Sequence, residues 1–223
     1  MKKVIFWDSD GTLLYGNESF KSALIRAFQQ FGHTLEEDAA RTFMRSVCSW
    51  YHPEKDHSDQ NGEEWWTKLM QEISRFCVAQ GVCSTDISSI CRSFRENVIT
   101  FEYQAYPDAK TVLHHFKEMG YENYIISNNF PELGLVFERL GLGSEISGYI
   151  LSASVGYEKP HRSIFAHAMV AAGNPEICYM IGDNPVADYQ GGLDNGMTPV
   201  LVHNKRDGMI CCEQLTELFA IIE

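Results

Sequence analysis

Four apolar residues, Val4 to Trp7, run without interruption into Asp8-Ser9-Asp10-Gly11-Thr12. A short unbroken apolar run closed by a turn signal reads as a strand buried on both faces. Runs of the same kind recur in "YIISN" (124–128), "YILSAS" (149–154), "CYMIGD" (178–183) and "TPVLV" (198–202). Between them lie "ELGLVFERLG", "RSIFAHAMVAAG" and "VADYQGGLDNG", with apolar residues at helical spacing; the last two close on glycines suited to a helix C-terminus. Apolar runs alternating with helices predict a parallel sheet covered by helices on both faces, an α/β fold.

The stretch from residue 15 to about 103 has another texture. Phe20, Leu24, Phe28 and Phe31 recur at helical spacing, as do Trp65, Leu69, Ile73 and Phe76, and then Ile87, Ile90, Phe94 and Val98. No strand pattern interrupts them. The expected organisation is an α/β core made of residues 1–14 and 104–223, with an all-helical domain, 15–103, inserted after the first strand. "YHPEKDHSDQNGE" (51–63) is the insert's one long polar loop.

Charge narrows the function. Thirty acidic residues against 18 basic ones give a formal net charge of −12 across 223 residues. Such a chain repels a polyphosphate backbone and an anionic bilayer, so neither nucleic acid nor membrane is an expected partner. The segment "MKKVIFWD" has too few apolar residues for a secretory core, and no later run reaches membrane-spanning length. Seven cysteines without an export signal read as reduced thiols in a cytoplasmic protein. Cys48, His52, His57, Cys77, Cys83 and Cys91 match no zinc spacing, and "LGLGSE" lacks the third glycine of a dinucleotide loop.

In an open parallel sheet, ligands gather beyond the carboxyl ends of the strands. Asp8 and Asp10 follow the first strand, Ser127 ends the next, and Asp183 ends "CYMIGD", with Asp188 five residues on. Lys159 precedes Pro160, at the expected start of the helix after "YILSAS". These sequence-distant groups converge on one edge, and each is of a type that phosphoryl transfer needs.

In that order, "DSDGTL", "SNN", "EKP" and "GDNPVAD" resemble the four motifs of the haloacid dehalogenase superfamily, from residue 4 to about 202. The resemblance implies a Rossmann-like core with a helical cap after motif one, as in relatives similar to phosphoglycolate phosphatases and nucleotidases. It implies a Mg²⁺-dependent phosphatase acting on a small phosphorylated metabolite through an aspartyl-phosphate. Asp8 would be the nucleophile and Asp10 the general acid and then base. Asp8, Asp183 and Asp10, the last through its backbone carbonyl, would hold Mg²⁺. Ser127, the backbone N–H of Asn128 and Lys159 would bind the phosphate, with Asp188 and Thr12 in support.

A charge count agrees with the metal. Four carboxylates against one ammonium leave −3 before a phosphate arrives with about −1.5 to −2 of its own. Like charges ~4 Å apart repel by about 4 kcal/mol at an effective dielectric of 20. A divalent cation relieves that repulsion. A phosphomutase shares this machinery. A haloacid dehalogenase does not need the second acid, Asp10. A phospho-accepting signalling module needs neither that acid nor a helical lid. Specificity is expected in the insert and the loop after motif one, at Tyr15, Arg45, Trp50, His52 and Trp66, with Trp65 and Trp66 dividing between core and surface. Oligomeric state is not readable.

Overall fold

The computed structural model describes residues 1–15, 18–54 and 57–222. Residues 55 and 56 of the expected polar loop lie outside these. The core strands are β1 (Lys3–Trp7), β4 (Tyr121–Ser127), β5 (Gly148–Leu151), β6 (Ile177–Gly182), β7 (Thr198–Val202) and β8 (Cys211–Cys212). All six are parallel, in the order β5-β4-β1-β6-β7-β8. The chain is therefore a doubly wound α/β fold with its amino-terminal strand at the sheet's centre.

That position explains why Val4 to Trp7 of β1 are all apolar. Its side chains alternate between two cores: Val4 and Phe6 join Ile126, Ile164 and Phe165 on one face, while Ile5 and Trp7 join Val112, Phe116 and Phe137 on the other. Each such burial contributes about 1.5–3 kcal/mol, and of the strand only Lys3, at its start, is partly exposed. Helix α8 (Arg162–Ala171) covers the first face; α5 (Ala109–Glu118) and α6 (Leu133–Arg139) cover the second. The short α7 (Ser152–Val155) continues β5, so the last residues of "YILSAS" are helical, not extended. Trp7 donates its indole N–H to Asn123 Oδ1 at 2.9 Å, and the Asn123 amide donates to the Leu113 carbonyl, so the buried polar atoms there are paired.

The insert leaves and rejoins the core through a two-residue antiparallel pair, β2 (Leu14–Tyr15) with β3 (Gln104–Ala105). Between them run α1 (Ser19–Gln30), α2 (Glu37–Val47), α3 (Glu63–Ala79) and α4 (Ile87–Ile99). Of these, α2 is not among the expected helices, although Ala40, Phe43, Met44 and Val47 recur in it at helical spacing. Only Ala40 and Met44 of α2 are fully buried, although Phe43 stacks on Phe76 of α3 at 4.1 Å. Phe31 lies one residue past α1 and is partly exposed. Trp65 and Trp66 do not divide between core and surface: both are buried. Trp65 packs inside the insert against Trp50, whereas Trp66 faces the core, where its N–H donates to Glu132 at 2.9 Å.

Two further departures lie near the sheet's carboxyl edge. Pro160 does not begin a helix; α8 starts at Arg162, with His161 accepting a hydrogen bond from the Ser163 N–H. "VADYQGGLDNG" forms a π-helical turn (Pro185–Gln190) and then the short α9 (Gly191–Asp194). Asn184 caps that turn by accepting from the N–H groups of Val186 and Ala187. Wide turns of this kind cluster at functional sites, and this one carries Asp188 inward. Among the described residues no helix is long and apolar enough to cross a membrane.

Candidate active site

β1 ends at Trp7, paired in register with Ile125 of β4 and Ile181 of β6, so Asp8 emerges at the middle of the sheet's carboxyl edge. Its N–H still donates to the Ile181 carbonyl at 2.8 Å, which holds the backbone at the point where the strand stops. The chain then turns sharply: the N–H groups of Leu13 and Leu14 both donate to the Ser9 carbonyl, and that of Gly11 to the Leu14 carbonyl. Gly11 is required twice over. Its φ of +87° favours glycine, and a Cβ there would stand 2.5 Å from the Asp183 carboxylate. Gly182 makes similar room, since a Cβ on it would lie 2.2 Å from Asp188.

The predicted groups do come together. Asp8, Asp10, Ser127, Asn128, Lys159, Asp183 and Asp188 all line one cavity of about 420 Å³ between sheet and insert. Lys159 is 3% exposed, and its Nζ donates to Asp8 Oδ1 at 2.7 Å and to Asp188 Oδ1 at 2.6 Å. Burial opposes its charge, but Asp188 and Asp8 outweigh that, so its pKa is raised and the ammonium persists. Burial raises Asp188 against the pull of Lys159, and its second oxygen accepts from the Asn184 N–H. Lys159 is held in place by its own backbone: its N–H and carbonyl both pair with the Asn128 side chain, at 2.6 and 3.0 Å.

Ser127 and Thr12 have unlike surroundings. The helix after β4 begins at Leu133, with Glu132 before it, so Ser127 caps no helix. Its hydroxyl instead meets that of Ser9 at 2.7 Å. Thr12 is fully buried outside the cavity lining, and its hydroxyl has no partner among the described residues. Two contributors went unrecognised in the sequence. Asn129 donates its side-chain amide to Asp10 and to Ser9, and Ser9 bridges Ser127 and Asp10. The only signal for Asn129 is its place in "SNN" just after a strand.

Burial, with the charge of Asp8 next, pushes Asp10 up to about 6, against the hydrogen bonds from Ser9 and Asn129. The same two causes push Asp183 up to about 6. Oxygen atoms of Asp8, Asp183 and Asp188 lie within 4.8 Å of one another. This all-oxygen, under-neutralised set fits a hard divalent cation. The Asp10 side chain is not in the group.

A doubly wound sheet with converging acids and one buried ammonium at its carboxyl edge is a setting suited to phosphoryl-group chemistry. The match to known proteins is more specific: the haloacid dehalogenase-like hydrolase model covers residues 2–196, and the chain belongs to that family. It is 25% identical over 211 residues to the glyceraldehyde 3-phosphate phosphatase of Methanothermobacter thermautotrophicus, covering 92% of this chain and 87% of that one. Among solved structures it resembles a HAD phosphatase from Thermococcus onnurineus, with TM-score 0.65 and 18% identity, covering 99% and 97% of the two chains. A 2-haloacid dehalogenase from Pseudomonas syringae superposes with TM-score 0.73 and 16% identity, covering 100% and 98%. At these identities the two structures establish the shared fold.

Proposed function

We propose that the chain is a Mg²⁺-dependent phosphatase of small phosphorylated metabolites that works through an aspartyl-phosphate. The observation that carries this reading is the contrast between two carboxylates on one loop. Asp8 is paired with Lys159 at 2.7 Å, whereas Asp10 holds its proton up to about pH 6. Two acids in unlike environments are suited to the two roles of nucleophile and proton donor. The phosphatase relative from Methanothermobacter supports the same chemistry.

An Oδ atom of Asp8 attacks phosphorus, forming an acyl phosphate (aspartyl-phosphate) as the bond between phosphorus and the leaving oxygen breaks. Asp10 gives that oxygen its proton, then takes one from the water that attacks phosphorus of the acyl phosphate, releasing phosphate and the Asp8 carboxylate. Lys159 and Ser127, with the backbone N–H of Asn128, bind non-bridging oxygens, and Asp188 orients the ammonium. Asp8 and Asp183, with the Asp10 carbonyl, would hold Mg²⁺, which when bound offsets the repulsion between phosphate and carboxylates. The helices from 15 to 103 act as a lid that limits water and substrate size.

Mass spectrometry after peptic digestion of a borohydride-quenched turnover tests this. The expected result is reductive labelling at Asp8, together with free phosphate and no isomerised product. Accumulation of an isomer would make the enzyme a mutase, and labelling elsewhere would remove Asp8 as nucleophile.

A further inference from the structure

The cavity wall facing the carboxylates is aromatic and belongs to the insert. Phe20 comes from α1, while Trp50 and Tyr51 come from the 3₁₀ turn Ser49–Tyr51. Phe20 and Trp50 meet edge to face at 4.9 Å, and Trp65 stacks behind Trp50 at 6.2 Å with 27° between the planes. Trp50 is thus wedged between two rings while still reaching the cavity. Tyr51 stands beside it at 6.2 Å and is 51% exposed.

The turn is also tied to the core. Ser49 donates its hydroxyl to Glu158, a buried carboxylate next to Lys159 in sequence. The ring wall and the ammonium are therefore anchored to the same short segment, which holds the spacing between the phosphate end and the leaving-group end of the cavity.

Charge points the same way. Among the described residues lining the cavity, Lys159 is the one cation, and it already serves two carboxylates. Lys21, Arg41 and Arg45 line a second recess that shares Phe20, Trp50 and Tyr51. There Lys21 and Arg41 are paired with Glu18 and Glu37, while Arg45 has no ion pair among the described residues but does not line the cavity that holds the carboxylates. A leaving group with its own carboxylate or second phosphate would lie among Asp10, Asp183 and apolar rings without a counter-charge, at a desolvation cost. An uncharged ring would bury its faces against Trp50 and Phe20.

We propose that this aromatic wall selects phosphomonoesters whose leaving group carries an uncharged ring, and rejects those with a second anionic group beyond the ester oxygen. The inference rests on the phosphatase reading above and names its substrate class.

Three alkyl esters of similar leaving-group basicity provide the test: benzyl, 4-carboxybenzyl and ethyl phosphate, assayed by phosphate release with saturating Mg²⁺. The benzyl ester should exceed each of the others in kcat/KM by at least about tenfold. Trp50→Ala should shrink the benzyl-to-ethyl ratio to about threefold or less, chiefly through KM, and Trp50→Phe should keep most of it. Equal turnover of the three esters by the wild-type enzyme overturns this inference alone. No phosphate from any of them overturns it together with the phosphatase reading. The wild-type ratios decide even if Trp50→Ala does not fold.

Discussion

Asn129 donates its side-chain amide to Oδ2 of Asp10, joining the residue two beyond β4 to the residue three beyond β1. The bond favours the ionised carboxylate and so partly counters the burial that raises it. Asp10 is thereby held near the pH at which an acid can both give and take a proton.

Asn129→Ala should therefore raise the Asp10 pKa further. As the proton donor must be protonated, the basic limb of kcat/KM for an alkyl phosphate should move to higher pH by about one unit. A profile that falls in amplitude without moving would show that Asn129 only packs.

Lys159→Met should be costly to fold. It leaves Asp8 and Asp188, both at least nine-tenths buried, facing each other without their shared cation. Stability at pH 7 should drop by about 3–5 kcal/mol in urea titrations without metal. Turnover with Mg²⁺ should fall about 10²–10³-fold, as when a charge-stabilising donor is lost.

Metal and pH should act together on stability. Asp10 and Asp183 keep protons up to about pH 6 in the native chain, against an ordinary value of 3.8. Between those values the native state binds more protons than the unfolded state, so the contribution of these groups falls as pH rises. Mg²⁺ favours the ionised forms. At a hundredfold excess over its Kd it should raise the melting midpoint by about 5 °C or more at pH 7.5, and by less at pH 5. Asp183→Asn should remove most of that rise and increase the Mg²⁺ needed for half-maximal turnover.

Gly11→Ala probes the loop itself. The left-handed backbone costs roughly 1–2 kcal/mol for any L side chain, and the new methyl strikes Asp183. The expected outcome is a lower melting midpoint and a weaker Mg²⁺ response together. Lower stability with an unaltered metal titration would separate the two effects.

The strands were readable because a parallel sheet buried on both faces leaves an unbroken apolar run, and Asp8, Asp183 and Ser127 then follow from where those runs stop. Motif order places Lys159 and Asp188 at the same edge, and their ion pair is a finding of the structure. What escaped has physical reasons. Helix α2 repeats Ala40, Phe43, Met44 and Val47 at helical spacing, but only Ala40 and Met44 are buried, and charged and polar residues fill most of its other positions. β8 has only two residues and depends on its neighbour β7. Adjacent tryptophans on a helix normally diverge, but here Glu132 and Phe130 of the core cover Trp66, the one that turns outward from the insert. The role of Asn129 depends on which of two neighbouring amides turns toward Asp10, and that is decided by tertiary contacts alone.

The slender β2–β3 stem has an evolutionary corollary. Because both ends of the helical unit pass through a neck two residues wide, its removal or replacement would leave every pairing of the six-stranded sheet untouched. The stem is sewn to the catalytic loop by hydrogen bonds from Gly11 to Leu14 and from Tyr106 to Leu13. The inserted unit can thus vary while the strands that carry Asp8 and Asp183 keep their register, provided its ties to Glu158 and Glu132 are kept or replaced.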